Sequence, residues 1–237
     1  MNAGFVSSVR SAHLNRGWLA APALVGVLIV GSACGGDGST DPNTPRGMAA
    51  VSPDSQTTAA GVKMAQPLVV VVTGSGASPL ANVPVEWTIT AGGGSLSDTV
   101  STTDAAGHAQ TTYTPGTLPT IAGVTAENGS QKVLFRVVLV PGPPSALQKF
   151  GSDSPAAVVG SKLTLSVRLV DQFANPISGK VVNWTTAGGS VSAGTSTTDN
   201  GGVASVTYTL GSDPGTYSLT ATSDGVPPTT FSVRAIP

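Results

Sequence analysis

The sequence has few of the residues that build catalytic, metal-binding and nucleic-acid-binding sites. Its 237 residues include one cysteine and two histidines, with 10% charged and 5% aromatic residues. One cysteine excludes an internal disulfide, and the low charge excludes a coiled coil or a highly charged disordered chain. The formal net charge is −1, so there is no basic excess to neutralise phosphates and we expect no nucleic-acid partner. Hydrophobic residues make up 40%, which is enough to form a core.

The N-terminal segment has the pattern of an export signal. Arg10 and Arg16 precede an apolar run at residues 18–30, about the length of the hydrophobic part of a signal peptide. The run is shorter than the roughly 20 residues that span a bilayer, and it contains Pro22 and Gly26, which disfavours a transmembrane helix. We therefore predict that residues 1–33 are a signal peptide and that the protein is secreted through the inner membrane.

The only cysteine, Cys34, follows Gly31-Ser-Ala and precedes a Gly/Ser-rich stretch. This arrangement resembles a bacterial lipoprotein signal, which implies that the Cys34 thiol is acylated and that membrane lipid is a partner. Gly35 is not the Asp associated with inner-membrane retention, so the resemblance favours the outer membrane or cell surface. The alternative is a free thiol beside an ordinary cleavage site. Residues 34–47 are rich in turn-forming residues and have no hydrophobic period, which predicts a flexible tether.

The rest of the chain is one unit repeated twice. Landmark residues recur at spacings of 95 to 97: Trp87 and Trp184, Asp104 and Asp199, Gly107 and Gly202, Tyr113 and Tyr208, Phe135 and Phe231. A spacing that holds over so many positions predicts a duplicated domain. We place the two copies at residues 48–142 and 143–237, joined by a proline-rich segment at residues 140–144.

Both copies have the alternation of β-strands. In the second copy Leu163, Leu165, Val167 and Leu169 alternate with polar residues, a period of two that buries one face of a strand. About seven short strands per copy, separated by Gly, Pro, Asn and Asp, favour an all-β fold of two tandem two-sheet β-sandwiches. With no disulfide available, we expect Trp87 and Trp184 to pack on aliphatic neighbours alone.

Two matching turns have a clear structural role. Asp104 and Asp199 each stand three residues before a glycine, Gly107 and Gly202. An Asp carboxylate can accept nearby backbone N–H groups, and glycine adopts positive φ without steric cost. We expect these four residues to be structural.

The second copy resembles the bacterial immunoglobulin-like domain, group one, which occurs in tandem in intimin- and invasin-type surface proteins. The resemblance rests on residues 170–176 (VDQFANP), Trp184, the Thr-Thr-Asp199-x-x-Gly202 turn, Tyr208 and Ala221. The first copy keeps the Trp and Thr-Thr-Asp landmarks but has GSGAS at residues 74–78. The resemblance implies Ig-like β-sandwiches that act as a surface stalk or adhesion module.

Few residues are candidates for binding or chemistry. Phe173 stands in a loop with Asp171 and Asn175, and it either covers the core or domain junction or contacts a ligand. We keep a glycan-, peptide- or calcium-binding lipoprotein as the alternative function, using these loop-end residues. Asp171, Asp199, Asp213 and Asp224 could supply oxygen ligands to calcium but lack an EF-hand spacing, so we expect no cofactor and no metal.

An enzyme is the least favoured class. The only glutamates are Glu86 and Glu127, and His108 is the only histidine after the signal. We expect His108 to be a solvated surface residue and the two acids to lack the cleft that a glycosidase needs. We therefore predict a non-enzymatic protein.

Overall fold

A computed structural model describes residues 41–151 and 156–237. The predicted signal peptide, Cys34 and most of the predicted tether lie outside these residues. Within the described ranges no helix is long and apolar enough to cross a bilayer. The described residues belong to one compact unit, which holds two separate hydrophobic cores.

The first sandwich is built from ten strands in the part of the chain that the structure describes. One layer has the order β1-β3-β7, beside a short β5-β8 pair, and the other has the order β2-β10-β9-β4-β6. The strands are β1 (Gly47–Ala50), β2 (Ser55–Ala59), β3 (Leu68–Thr73), β4 (Pro84–Ala91), β5 (Gly94–Leu96), β6 (Val100–Thr102), β7 (His108–Thr111), β8 (Tyr113–Pro115), β9 (Ile121–Asn128) and β10 (Gln131–Val140).

The second sandwich repeats this plan with nine described strands. Its layers have the orders β11-β13-β17-β15 and β12-β19-β18-β14-β16. The strands are β11 (Ala146–Phe150), β12 (Ala156–Val158), β13 (Lys162–Val170), β14 (Val181–Ala187), β15 (Ser190–Val191), β16 (Thr195–Thr197), β17 (Val203–Thr209), β18 (Gly215–Thr222) and β19 (Thr229–Ile236).

The prediction of an all-β fold is confirmed. Each sandwich has more strands than the seven expected, because it contains additional short strands, such as β5, which pairs with β8, and β15, which pairs with β17 at the edge of its layer. In both sandwiches the last strand pairs antiparallel with the strand before it and parallel with a short early strand, β10 with β2 and β19 with β12.

The tryptophans pack differently from the expectation. The Trp87 ring centroid lies 6.1 Å from that of Phe135, and the Trp184 centroid lies 6.5 Å from that of Phe231. Each indole N–H also donates to a serine, from Trp87 to Ser101 and from Trp184 to Ser196, both at 2.8 Å. The expectation that the tryptophans pack on aliphatic neighbours alone was therefore wrong, because the last strand of each sandwich brings a phenylalanine close to the indole.

The predicted tether differs from the structure at its C-terminal end. Arg46 N–H donates to the Thr73 carbonyl at 2.8 Å, and strand β1 begins at Gly47. The Pro42 carbonyl lies so close to Gly74 that a side chain there would collide with it. The segment from Pro42 onward therefore packs on the first sandwich, because its backbone groups find partners at the edge of β3.

Candidate functional site

The loop of Asp171, Phe173 and Asn175 is folded around the Asp171 carboxylate. Its Oδ1 accepts the backbone N–H groups of Phe173 at 2.8 Å and Asn175 at 2.9 Å. The Asp171 N–H donates to the Asn175 carbonyl at 3.0 Å, and Ala174 between them has φ of 63°. Asp171 thus closes its own turn, which is the local role that an Asp has in such loops.

The other carboxylate oxygen holds the segment that joins the sandwiches. Asp171 Oδ2 accepts the Gly142 N–H and the Asn175 Nδ2–H, each at 2.9 Å. Gly142 lies between Pro141 and Pro143, and proline has no N–H. The one N–H that residues 141–144 possess is therefore donated to Asp171.

Asn175 connects the loop to the first sandwich directly. Its Nδ2 also donates to the Thr117 carbonyl at 2.7 Å. Asp171 is 2% exposed and Asn175 is 4% exposed, so both polar groups are buried and hydrogen-bonded, as buried polar groups must be to avoid a large desolvation cost.

Phe173 covers the same junction from outside. Its ring lies against Gly61 of the first sandwich, at a separation that leaves no room for a side chain on Gly61. Phe173 remains 37% exposed. The structure thus brings the three predicted binding residues together, and all three contact the junction between the sandwiches.

The equivalent loop of the first sandwich has the same backbone hydrogen bond but no carboxylate that binds a connecting segment. Gly74 N–H donates to the Ser78 carbonyl at 2.8 Å, and an isolated bridge joins Thr73 to Pro79 as another joins Val170 to Pro176. Gly74 stands where the second copy has Asp171, and there the Pro42 carbonyl occupies the space of a side chain. The carboxylate thus occurs only in the copy that follows another sandwich.

Hydrogen bonding keeps the Asp171 carboxylate ionised. Burial raises the pKa of this carboxyl, but the Asn175 amide and the N–H groups of Gly142, Asn175 and Phe173 together lower it further, so the net pKa is below 3.8. Hydrogen bonds to the charged form favour that form. The junction therefore contains a buried negative charge that is stabilised by N–H donors.

The other predicted candidates lie apart from the junction. His108 begins strand β7, is partly exposed and donates its backbone N–H to Asp104 Oδ1 at 2.9 Å. Glu86 and Glu127 are directly opposite on β4 and β9, which the sequence did not reveal. In the described ranges no group of three or more His, Cys, Asp or Glu side chains is arranged to hold a metal ion.

Sequence reasoning also missed a second exposed aromatic. Phe150, at the end of β11, is 46% exposed, more than Phe173. The Arg168 guanidinium lies 6.0 Å from its ring centroid. The signal was available, because Phe150 follows Lys149 and precedes Gly151 at the end of a strand, but the alternation alone did not show which way it points.

The Asp–Gly turns have the expected local chemistry in both sandwiches. Asp104 Oδ1 and Asp199 Oδ1 each accept two backbone N–H groups at 2.8 to 2.9 Å. The His108 N–H lowers the pKa of the Asp104 carboxyl against the opposing effect of burial, with a further lowering by Ala106. Gly202 has φ of 74°, and a Cβ there would lie 2.7 Å from the Leu169 carbonyl oxygen.

We expect Gly202→Ala to destabilise the second sandwich by about 2 to 3 kcal/mol, because it adds a collision with backbone to the strain of positive φ. The matched control is Gly225→Ala, where φ is 82° but no atom lies within 4 Å of the added Cβ, so only the strain of about 1 to 2 kcal/mol applies. Urea unfolding of the full chain measures both. Equal midpoints for the two variants would contradict the role given to the Leu169 contact.

The comparison with known families concerns the second sandwich. Residues 152–236 match the family model of the bacterial Ig-like domain (group 1). The second sandwich carries this domain. The predicted resemblance is therefore confirmed.

Several solved structures resemble the chain, among them domains of FdeC, intimin and invasin. FdeC, an Escherichia coli adhesin, is 20% identical over 82% of this chain and 65% of its own, with a TM-score of 0.53. The D0-D1 domain of intimin is 23% identical over 78% of this chain and 96% of its own, with a TM-score of 0.32. Invasin, an integrin-binding protein, is 22% identical over 80% of this chain and 39% of its own, with a TM-score of 0.37. At these identities the likeness shows the fold alone. No curated protein matched the sequence.

Proposed function

We propose that the protein is a non-enzymatic cell-envelope lipoprotein whose tandem bacterial Ig-like domains act as a surface spacer and adhesion-type module. Residues 1–33 are the signal peptide, and Cys34 carries the lipid. Of residues 34–47, the part before Pro42 is the tether. The copies at 48–142 and 143–237 are the spacer. Its partners are membrane lipid and a protein or glycan at the surface.

The clamp at the junction is the observation that supports this function best. A spacer must hold its far end away from its anchor, so its joints must resist bending. Asp171 binds the connecting segment through Gly142, and Asn175 binds the first sandwich through Thr117. Both carboxylate oxygens of Asp171 accept N–H groups of the protein. Asp171 is therefore suited to hold a joint, since neither oxygen is left without a partner for a ligand.

The predicted lipid anchor supplies the other mechanical element. Each buried methylene contributes about 0.8 kcal/mol to membrane association, and two acyl chains are enough for stable anchoring. Because the chain packs on the first sandwich from Pro42 onward, the free tether is residues 34–41, and a coil of about 8 residues has a typical end-to-end distance of roughly 15 Å. The sandwiches would therefore be held near, but not on, the membrane surface.

Metabolic labelling with a radioactive fatty acid tests the anchor. We expect label on the full chain and none on Cys34→Ala, with Ser32→Ala as the control that changes a neighbouring residue and keeps the thiol. Intact-cell protease digestion of the same strains then tests exposure at the surface. Label that persists in Cys34→Ala, or sandwiches that are degraded only after lysis, would contradict the proposed function.

A further inference from the structure

The first sandwich has a groove where strand β4 loses its neighbour. Strand β6 pairs with β4 only from Pro84 to Glu86, and the last contact of this ladder is the Trp87 N–H to the Thr99 carbonyl at 2.8 Å. Between β4 and β6 the chain leaves this layer, because β5 pairs with β8 beside the other layer. The space left beside β4 is a groove of about 680 Å³.

The backbone of β4 faces this groove. Hydrogen-bonding groups of successive residues in an antiparallel strand point to opposite sides. Since the Trp87 N–H points away from β9, the N–H of Ile89 also points away from β9, toward the side on which β6 has already ended. An open strand edge of this kind can accept an added extended peptide.

The groove combines an apolar surface with a carboxylate at one end. Ile89, Leu96 and Val100 line it, and Val100 is 54% exposed. Glu86 lines it as well, and Glu86 also borders a second cavity of about 300 Å³ that includes Glu127. The indole of Trp87 is 3% exposed, so the groove offers no aromatic platform for a sugar ring.

A positive charge beside Glu86 would relieve the repulsion between two glutamates. Glu86 is directly opposite Glu127 on the neighbouring strand, and like charges in that position repel. Lys132 Nζ lies 2.9 Å from Glu127 Oε1, and that is the one ion pair found among the described residues. Glu86 therefore has no ion-pair partner within this part of the chain.

The second sandwich repeats the open edge, because β16 pairs with β14 only from Val181 to Asn183, but it lacks the pair of glutamates and the apolar residue in the place of Ile89. Asn183 stands in the place of Glu86 and lies opposite Thr222. The segment between the tryptophan and the Asp–Gly turn is also two residues shorter, since Trp184 and Asp199 are 15 positions apart and Trp87 and Asp104 are 17 apart. Thr186, in the place of Ile89, donates to the Gly188 carbonyl and lies 3.2 Å from the Tyr208 hydroxyl.

We propose that the groove of the first sandwich binds an extended, basic-apolar peptide segment of a partner protein. The peptide adds to the open edge of β4, its Lys or Arg side chain pairs with Glu86, and its apolar side chains contact Ile89, Leu96 and Val100. This site goes beyond the spacer function, because it uses none of the junction residues.

Fluorescence polarisation with the full chain in mild detergent tests the site. The probe is a fluorescein-labelled, end-blocked Lys-Val-Ile-Val-Thr peptide, compared with the same peptide carrying Glu in place of Lys and with two versions, one N-methylated at the odd residues and one at the even residues. We expect the Lys peptide to bind and the Glu peptide to bind more weakly. One of the two N-methylated peptides should not bind, because it lacks the backbone N–H groups that face β4.

Variants of the chain assign the binding to the groove. We expect Glu86→Asn, which installs the residue of the second copy, to weaken the Lys peptide by about 2- to 5-fold, as for an exposed ion pair. Ser95→Trp should abolish binding by filling the groove, while the control Asn183→Glu should leave the affinity unchanged. Glu86→Asn is at an exposed position, so it remains informative if Ser95→Trp fails to fold.

Several outcomes would overturn the proposal. These are an absence of binding, equal affinities for the Lys and Glu peptides, equal affinities for the plain and both N-methylated peptides, and an unchanged affinity in Glu86→Asn. A concentration-dependent dimer that Ser95→Trp dissociates would instead assign the groove to a second copy of this chain.

Discussion

Replacing Trp184 by alanine should lower the stability of the second sandwich by about 3 to 5 kcal/mol, the cost of removing a buried aromatic side chain. The variant loses the packing of the indole on Phe231 and the hydrogen bond from Nε1–H to Ser196. Because small domains have only about 5 to 15 kcal/mol of stability, the second sandwich should unfold early. Its core shares no residue with that of the first, so calorimetry of the full chain should show one transition moving and the other staying.

Two matched variants sharpen this experiment. Trp184→Phe keeps a ring beside Phe231 and loses the hydrogen bond, so we expect a smaller cost than for alanine. Trp87→Ala makes the same change against Phe135 and should shift the other transition. A calorimetric trace that is unchanged by Trp184→Ala would contradict the assignment of this residue to the core.

Replacing Asp171 by alanine should release the junction between the sandwiches. The substitution removes the acceptor of the N–H groups of Gly142, Phe173 and Asn175. Leaving such buried donors without partners should cost about 2 to 4 kcal/mol. We expect spin labels at Gln110→Cys and Ser205→Cys, in a Cys34→Ser background, to give a narrow distance distribution in the parent and a broad one in the variant.

Asp199→Ala is the control for a purely local effect. Asp199 also accepts two backbone N–H groups, from Gly201 and Val203, but at a turn within the second sandwich. It should lower the stability of that sandwich without broadening the distance distribution. A distribution that is as narrow in Asp171→Ala as in the parent would refute the clamp.

Acid provides a second test of the same residue without mutation. The pKa of Asp171 is lower in the folded protein than its ordinary value of 3.8. Stabilisation by its charge is therefore fully present above pH 3.8 and is lost as the pH falls through the lowered value. The spin-label distances should stay narrow from pH 7 to 5 and broaden only below about pH 3.8.

The sequence was informative where the physics is local. Alternation of apolar and polar residues predicted the strands, and Asp–Gly pairs predicted the turns at Asp104 and Asp199. Trp87 and Trp184 were correctly placed in the cores, but their contact with Phe135 and Phe231 was missed. Those phenylalanines are 48 and 47 residues further along the chain, and alternation within one strand does not show which residues of distant strands meet.

The amino-acid sequence by itself determined that the chain is a duplicated, disulfide-free β-protein whose second copy resembles the bacterial Ig-like domain, because periodicity and turn chemistry depend on neighbouring residues. Only the tertiary structure decided what Asp171, Phe173 and Asn175 contact. Their partners at Gly142, Gly61 and Thr117 are brought to them by the docking of two sandwiches. The open edge of β4 could not be predicted from the sequence either, since it arises because β6 ends early beside β4 and β5 pairs with β8 instead.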